Sequence, residues 1–287
     1  MSAAERPPVA VDGVPITRKL RRAAVAACAA VALTVLAGPS EAGAAYGPGH
    51  PKPSVLLVHG AFADGSTWNR VARRLQGDGY EVVVSQIPLT SFADDVAAVQ
   101  RDLRVLGGPT LVVGHSYAGA VISQAAQNVT SVVGVVYVAA TAPDTGEPAG
   151  VFNVLAPPLP SQTDFVPIDL PHVGQNGAPF VVIARDRFRR DFCQDCSIPE
   201  ARLLAAAEVP TNASAFAAPL AGPPAWRQFP AWYAISTRDR VINPAAQAIM
   251  ARRMDPTGAR TIRVKSGHAS LITHARRVAA FIERAAR

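Results

Sequence analysis

The sequence predicts an α/β protein with about six mostly parallel strands flanked by helices and a long irregular segment inserted before the last two strands. Three observations carry this. Short runs that are almost wholly apolar, such as Ser54-Val-Leu-Leu-Val58 and Val132 to Val138, suit strands buried on both faces. Between them lie stretches with apolar residues at helical spacing, so strand and helix alternate and a parallel sheet follows. The stretch Thr110 to Ala126 reads as strand, abrupt turn at Ser116 and apolar helix with no linker. At 287 residues and 49% hydrophobic composition the chain can bury a substantial core, and a single domain is expected.

The first residues differ in character from the rest. A basic cluster, Arg18-Lys19-Leu20-Arg21-Arg22, precedes the apolar run Ala23 to Ala37 and the small residues Ala42 to Ala45. That order is the order of a secretory signal peptide, expected to span residues 1–44 with cleavage after Ala44. The apolar run falls short of the roughly 20 residues a membrane-spanning helix needs, so no stable span is expected after cleavage. A linker (45–53) leads into the predicted domain (54–286).

Within that domain, Ser54 to Val58 forms the first strand and His59 to Ser66 a loop of small residues. A helix carrying Trp68, Val71 and Leu75 follows, then a strand from Glu81 to Ser85. Ser91 caps a helix to Leu106 with Phe92, Val96, Val99, Leu103 and Leu106 on one face. The strand and turn at Ser116 come next, then the strand Val132 to Val138. From about 143 to 226 the pattern dissolves into Pro, Gly and mixed segments, with short helices such as Pro199 to Ala207. This segment is expected to form a lid over the sheet. Regularity returns with a strand to Ser236, a loop at Thr237 to Arg240, and a helix capped by Asn243-Pro244. A last strand ends at Val264, and a closing helix runs from Leu271 to Ala286.

Charge and cysteine content exclude several function classes. The formal net charge is +7, and the chain from residue 45 keeps 23 basic and 18 acidic residues, a net +5. Apart from Arg185 to Arg190 these charges are scattered along the sequence, so no stripe for nucleic acid is expected. Past the leader only Cys193 and Cys196 remain. A zinc site would need two further ligands at suitable spacing, which the sequence lacks, and neither metal nor cofactor is expected. In an oxidising compartment the two cysteines suit a small structural disulfide.

Loops that follow parallel strands gather at the sheet's carboxyl edge, and three of them carry Ser116, Asp239 and His268. A serine hydroxyl needs a base to take its proton, which suits His268, and a carboxylate to fix that base's tautomer, which suits Asp239. Asp144 also follows a strand and is the rival carboxylate. Gly114 and Ala118 flank the serine as small residues must in so tight a turn, although the usual pattern has glycine at the second place. The developing oxyanion would face the backbone N–H of Tyr117 and that of Ala61 or Phe62. His59 reads as a loop-shaping residue, His115 as pointing away from the serine, and His274 as a surface residue.

Four motifs, Ser54 to Trp68, Gly114 to Gly119, Asp239 to Pro244 and Ser266-Gly-His268, together resemble the α/β-hydrolase superfamily. More narrowly they are similar to its bacterial esterase-like branch related to plant methyl-ester esterases and hydroxynitrile lyases. The resemblance implies the α/β-hydrolase fold with an inserted lid. It also implies a secreted serine hydrolase cleaving small hydrophobic carboxylic esters through an acyl-enzyme on Ser116. The lyases place threonine where this chain has Gly60 and lysine where it has Ala269, so hydrolysis is favoured over cyanohydrin cleavage. A binding protein that kept the scaffold without turnover is the alternative of a different class. Phe62, Tyr117, Phe152, Phe165 and Trp226 are the aromatics expected around the substrate.

Overall fold

The computed structural model describes residues 52–168 and 177–287. The expected leader and most of the linker lie outside the described residues. Six parallel strands form the central sheet: β1 (Ser54–Val58), β2 (Val82–Ser85), β3 (Thr110–His115), β4 (Val132–Val138), β8 (Ala231–Ser236) and β9 (Thr261–Val264), in the spatial order β2-β1-β3-β4-β8-β9. The three intervening strands, β5 (Phe165–Ile168), β6 (Phe180–Ile183) and β7 (Thr211–Asn212), form a separate antiparallel sheet in the insertion. All six positions of β3 are buried, as a central strand covered on both faces requires. Its register pairs Gly114 with Val58 on one side and with Tyr137 on the other, so β1, β3 and β4 end nearly level at one edge.

Helices cover the sheet in two packed pairs, Asn69–Gly77 against Ala275–Ala285 and Phe92–Leu106 against Ala118–Ala125. The Phe92–Leu106 helix starts where expected because Ser91 Oγ accepts the Asp94 N–H, and it stops at Gly107, whose φ of 64° lies in the left-handed region.

The closing helix departs from expectation. It is broken at His274 into Ser270–Thr273 and Ala275–Ala285. Thr273 Oγ1 bonds back to the Ala269 carbonyl and lies 3.0 Å from His274 Nδ1, local contacts that compete with a continuous helix. The insertion is also more ordered than its composition implies. Besides the predicted helix, found at Ile198–Ala206, it holds the sheet β5-β6-β7, whose strands are too short to show alternation. Pro167 sits on the outer strand β5, where a missing N–H is tolerated. Charge scattered in sequence is not scattered in space: Arg70, Arg73, Arg74, Arg276 and Arg277 line one open cleft of about 680 Å³. No helix among the described residues is long and apolar enough to cross a membrane.

Candidate active site

Ser116 sits directly after β3 with φ of 57°, a conformation that non-glycine residues adopt only where the surroundings enforce it. The enforcement is visible. Its N–H donates to the Val138 carbonyl at 3.2 Å, and its own carbonyl accepts from Gly119 and Thr141, both at 3.0 Å. Three glycines make the turn sterically possible. A Cβ on Gly60 would lie 2.6 Å from Ser116 Cβ, one on Gly114 would lie 2.9 Å from the Ala118 carbonyl oxygen, and one on Gly119 would lie 2.0 Å from the Thr141 oxygen. The closest approach of the helix to the segment after β4 therefore falls at Gly119. This is why Ala118 is accommodated one residue earlier.

His268, in the loop after β9, joins the serine to a carboxylate. Its Nε2 is 2.8 Å from Ser116 Oγ and its Nδ1 2.8 Å from Asp239 Oδ2. With Nδ1 donating to the carboxylate, Nε2 is left to accept the serine proton. Asp239 is held on every side. Oδ1 accepts the N–H groups of Val241 and Ile242 at 2.8 and 3.0 Å, and Oδ2 also accepts Gln247 Nε2 at 2.8 Å. Gln247 in turn accepts the Ser236 N–H, which ties the carboxylate to the end of β8. Asp144 is elsewhere: Arg227 grips it, and that hydrogen bond holds its carboxyl below the usual range.

The amides expected around an oxyanion divide cleanly. Phe62, with φ of 62°, donates its N–H to Thr211 Oγ1 at 3.1 Å, so that amide is engaged by the insertion. Among the described residues the amides of Ala61 and Tyr117 make no hydrogen bond, and each follows a site-forming residue, Gly60 and Ser116 respectively. Of the two amides expected after the first strand, Phe62 is the engaged one and Ala61 the unengaged one.

The buried histidines and an acid complete the surroundings. His59 Nε2 accepts the Ile87 N–H, which leaves Nδ1 to donate to the Gly60 carbonyl, and burial lowers its pKa. It shapes the loop, as its position predicts. His115 does point away from Ser116, but toward the base: its Nε2 lies 3.1 Å from the His268 carbonyl and the two rings are 4.7 Å apart. Burial, reinforced by the neighbouring His268, holds His115 well below the ordinary imidazole range. His274 is half-buried, less exposed than expected. Tyr117 donates its hydroxyl to Asp95 at 2.8 Å; burial pushes Asp95 up to about 7, partly offset by this bond and by the Leu89 N–H.

Aromatic rings from the insertion close the site. Phe62 packs against Phe165 at 5.0 Å and Phe216 at 6.2 Å, and Phe216 also meets Tyr117 at 5.4 Å. Two expected aromatics have other places. Trp226 donates to the Pro143 carbonyl and stacks with Arg227, and Phe152 makes no ring contact with this group. Ser116 is 6% exposed beneath the cover. No cluster of three or more metal-ligating side chains occurs among the described residues.

Comparison with known proteins places the fold. Residues 55–281 match the family described as the alpha/beta hydrolase family. No curated protein matches the chain. Among solved structures, a pyrethroid hydrolase from Sphingobium faniae JZ-2 superposes with a TM-score of 0.65 at 21% identity, covering 82% of this chain and 97% of that one. Polyneuridine aldehyde esterase gives 0.70 at 14% identity over 83% and 100% of the two chains. An extracellular alpha/beta-hydrolase from a Paenibacillus species gives 0.62 at 19% identity over 82% and 99%. At these identities the likeness is one of fold.

Proposed function

From the premise that this chain belongs to the alpha/beta hydrolase family, we propose that it is a serine hydrolase of small hydrophobic carboxylic esters. The observation that carries the reading is His268 bridging Ser116 and Asp239 at 2.8 Å on each side. Ser116 Oγ attacks the ester carbonyl carbon while His268 Nε2 takes the hydroxyl proton and Asp239 stabilises the resulting imidazolium. The oxyanion accepts hydrogen bonds from the Ala61 and Tyr117 amides, groups of a kind worth about 2.7–4 kcal/mol each to the transition state. His268 then returns the proton to the leaving alcohol, and a water deprotonated by His268 releases the acid from Ser116. The ester class is supported by proteins of similar fold that are a pyrethroid hydrolase and esterases. The apolar rings of Phe62, Phe165 and Phe216 suit a small hydrophobic group. Secretion belongs to the proposal too, supported by the leader-like order of residues 1–44 and by the paired Cys193 and Cys196.

Hydrolysis of a short-chain p-nitrophenyl ester by the chain from Ala45 onward tests the reading. Turnover by the wild type and its loss in Ser116→Ala support it. An inactive wild type, or an active Ser116→Ala, overturns it in favour of a scaffold that only binds. N-terminal sequencing of protein recovered from the medium checks cleavage after Ala44.

A further inference from the structure

Beside the candidate base, and in no motif of the sequence, lies a short loop of the insertion. Phe192 to Cys196 leaves the end of the Arg185–Asp191 helix, turns with the Cys196 N–H donating to the Cys193 carbonyl at 3.0 Å, and is closed by a disulfide between Cys193 and Cys196. Both cysteines are buried. Two of its side chains, Asp195 and Gln194, engage the two loops that carry His268 and Asp239. Asp195 Oδ2 accepts the Gly267 N–H at 2.7 Å, one residue before His268. Gln194 Nε2 donates to the Arg238 carbonyl at 2.6 Å, one residue before Asp239. The Gln194 amide also packs against Gly267, where a Cβ would come within 2.1 Å of its Oε1, so a side chain at 267 would displace the Gln194 amide from its present place. Phe192 sets its ring edge-on to the His268 imidazole at 5.3 Å and also meets the His115 ring at 6.3 Å, which itself lies 4.7 Å from His268.

We propose that the Phe192–Cys196 loop, closed by its disulfide, is a clamp that positions the general base His268 against Asp239 and Ser116, with Asp195 and Gln194 as its positioning residues. The sheet reaches His268 at its carbonyl, through His115 Nε2 at 3.1 Å, while the residues on either side belong to a loop, and among the described residues that loop is joined to the one carrying Asp239 by the backbone bond from Arg238 N–H to the Ser266 carbonyl at 2.9 Å. The clamp supplies a second tie to each loop from outside. Because the disulfide shortens the accessible motions of a five-residue loop, it is what makes those ties persistent. The inference rests on the serine-hydrolase reading for its catalytic meaning, while the ties themselves are independent of it.

Four forms of the chain test it: wild type, Asp195→Ala, Asp195→Asn and Cys193→Ser/Cys196→Ser. Each is assayed for kcat and KM on a p-nitrophenyl ester, for the rate of covalent labelling of Ser116 by a fluorophosphonate, and for hydrogen exchange in the peptide around Gly267. Asp195→Ala is expected to lower kcat and the labelling rate together by about tenfold with KM nearly unchanged, the signature of a displaced base. Its exchange around Gly267 should rise. Asp195→Asn keeps an acceptor oxygen and should restore all three readouts. The double cysteine variant should follow Asp195→Ala. Wild-type kcat and labelling in both Asp195→Ala and the double variant, with folding intact by thermal melting, would overturn the clamp alone. A wild type that neither turns over ester nor labels would overturn the serine-hydrolase reading and the catalytic meaning of the clamp with it, whereas the exchange data would still show whether the ties exist.

Discussion

The sheet edge and the insertion above it meet at the same serine, but they are tied to it by different kinds of bond. Around the sheet edge the loops are fixed by backbone to backbone: Ser116 to Val138 and Thr141, Thr237 to Val264, Arg238 to Ser266. The insertion reaches the same place mainly through single side chains, Thr211 to the Phe62 amide, Gln194 to Arg238 and Asp195 to Gly267, with one backbone bond from Asn212 to Leu89. Backbone ties survive most substitutions, and side-chain ties do not. The candidate site is thus anchored where mutation has least purchase, and the insertion that covers it where mutation has most.

Substitutions can sharpen or break that contrast. Asp239→Asn should have the largest effect, a fall in kcat of about 10⁴-fold with the fold retained, because it leaves His268 in the wrong tautomer. Asp144→Asn, measured beside it, should change kcat little. Gly119→Ala comes next: its Cβ would meet the Thr141 oxygen at 2.0 Å, and overpacking of this kind typically costs about 1–3 kcal/mol, read as a lowered midpoint in urea. Thr211→Val removes the acceptor for a buried amide and should cost a comparable or smaller amount, on the order of 1–3 kcal/mol. In contrast to Gly119→Ala it should loosen the insertion while leaving the sheet edge intact, seen as faster hydrogen exchange confined to residues around 62 and 211. A pH dependence, read only over a few pH units, completes the set. Asp95 has a folded pKa raised to about 7 from 3.8, so its contribution to stability is greatest below the unfolded value and is lost as pH rises through about 7. Asp95→Asn should therefore flatten the decline in melting temperature over that window, and a decline that persists unchanged would remove Asp95 as its source.

The same contrast governs what could be read from the sequence. Strands β1, β3 and β4 are legible because nearly every position is apolar and the pairing they need is with equally apolar neighbours. Once they are placed, the edge where Ser116, Asp239 and His268 meet follows from topology. Asp239 over Asp144 was readable from its place one strand before the histidine. Gln247 was not: a lone polar residue in an alanine-rich helix carries no signal that it is buried and bonded to a carboxylate. Nor was Thr211, in a strand of two residues whose partners are distant in sequence, or Phe216, which replaces Trp226 and Phe152 over the site. In sequence Asp95 is simply a first-turn acid of a capped helix, and only the fold turns it inward to Tyr117. Periodicity reports burial within an element. It says nothing about a contact that depends on how two distant segments dock.

Ala118, in the place where glycine is usual, carries a last consequence. The close approach falls on Gly119, and residue 118 is the first of the helix that follows the serine, free to hold a side chain. Alanine in a helix is more favourable than glycine by about 1 kcal/mol, chiefly because the unfolded chain has fewer conformations to surrender. Moving the glycine one step along thus leaves the turn as tight as before. It also makes the helix that follows Ser116 less costly to order, a gain that no contact in the folded protein would reveal.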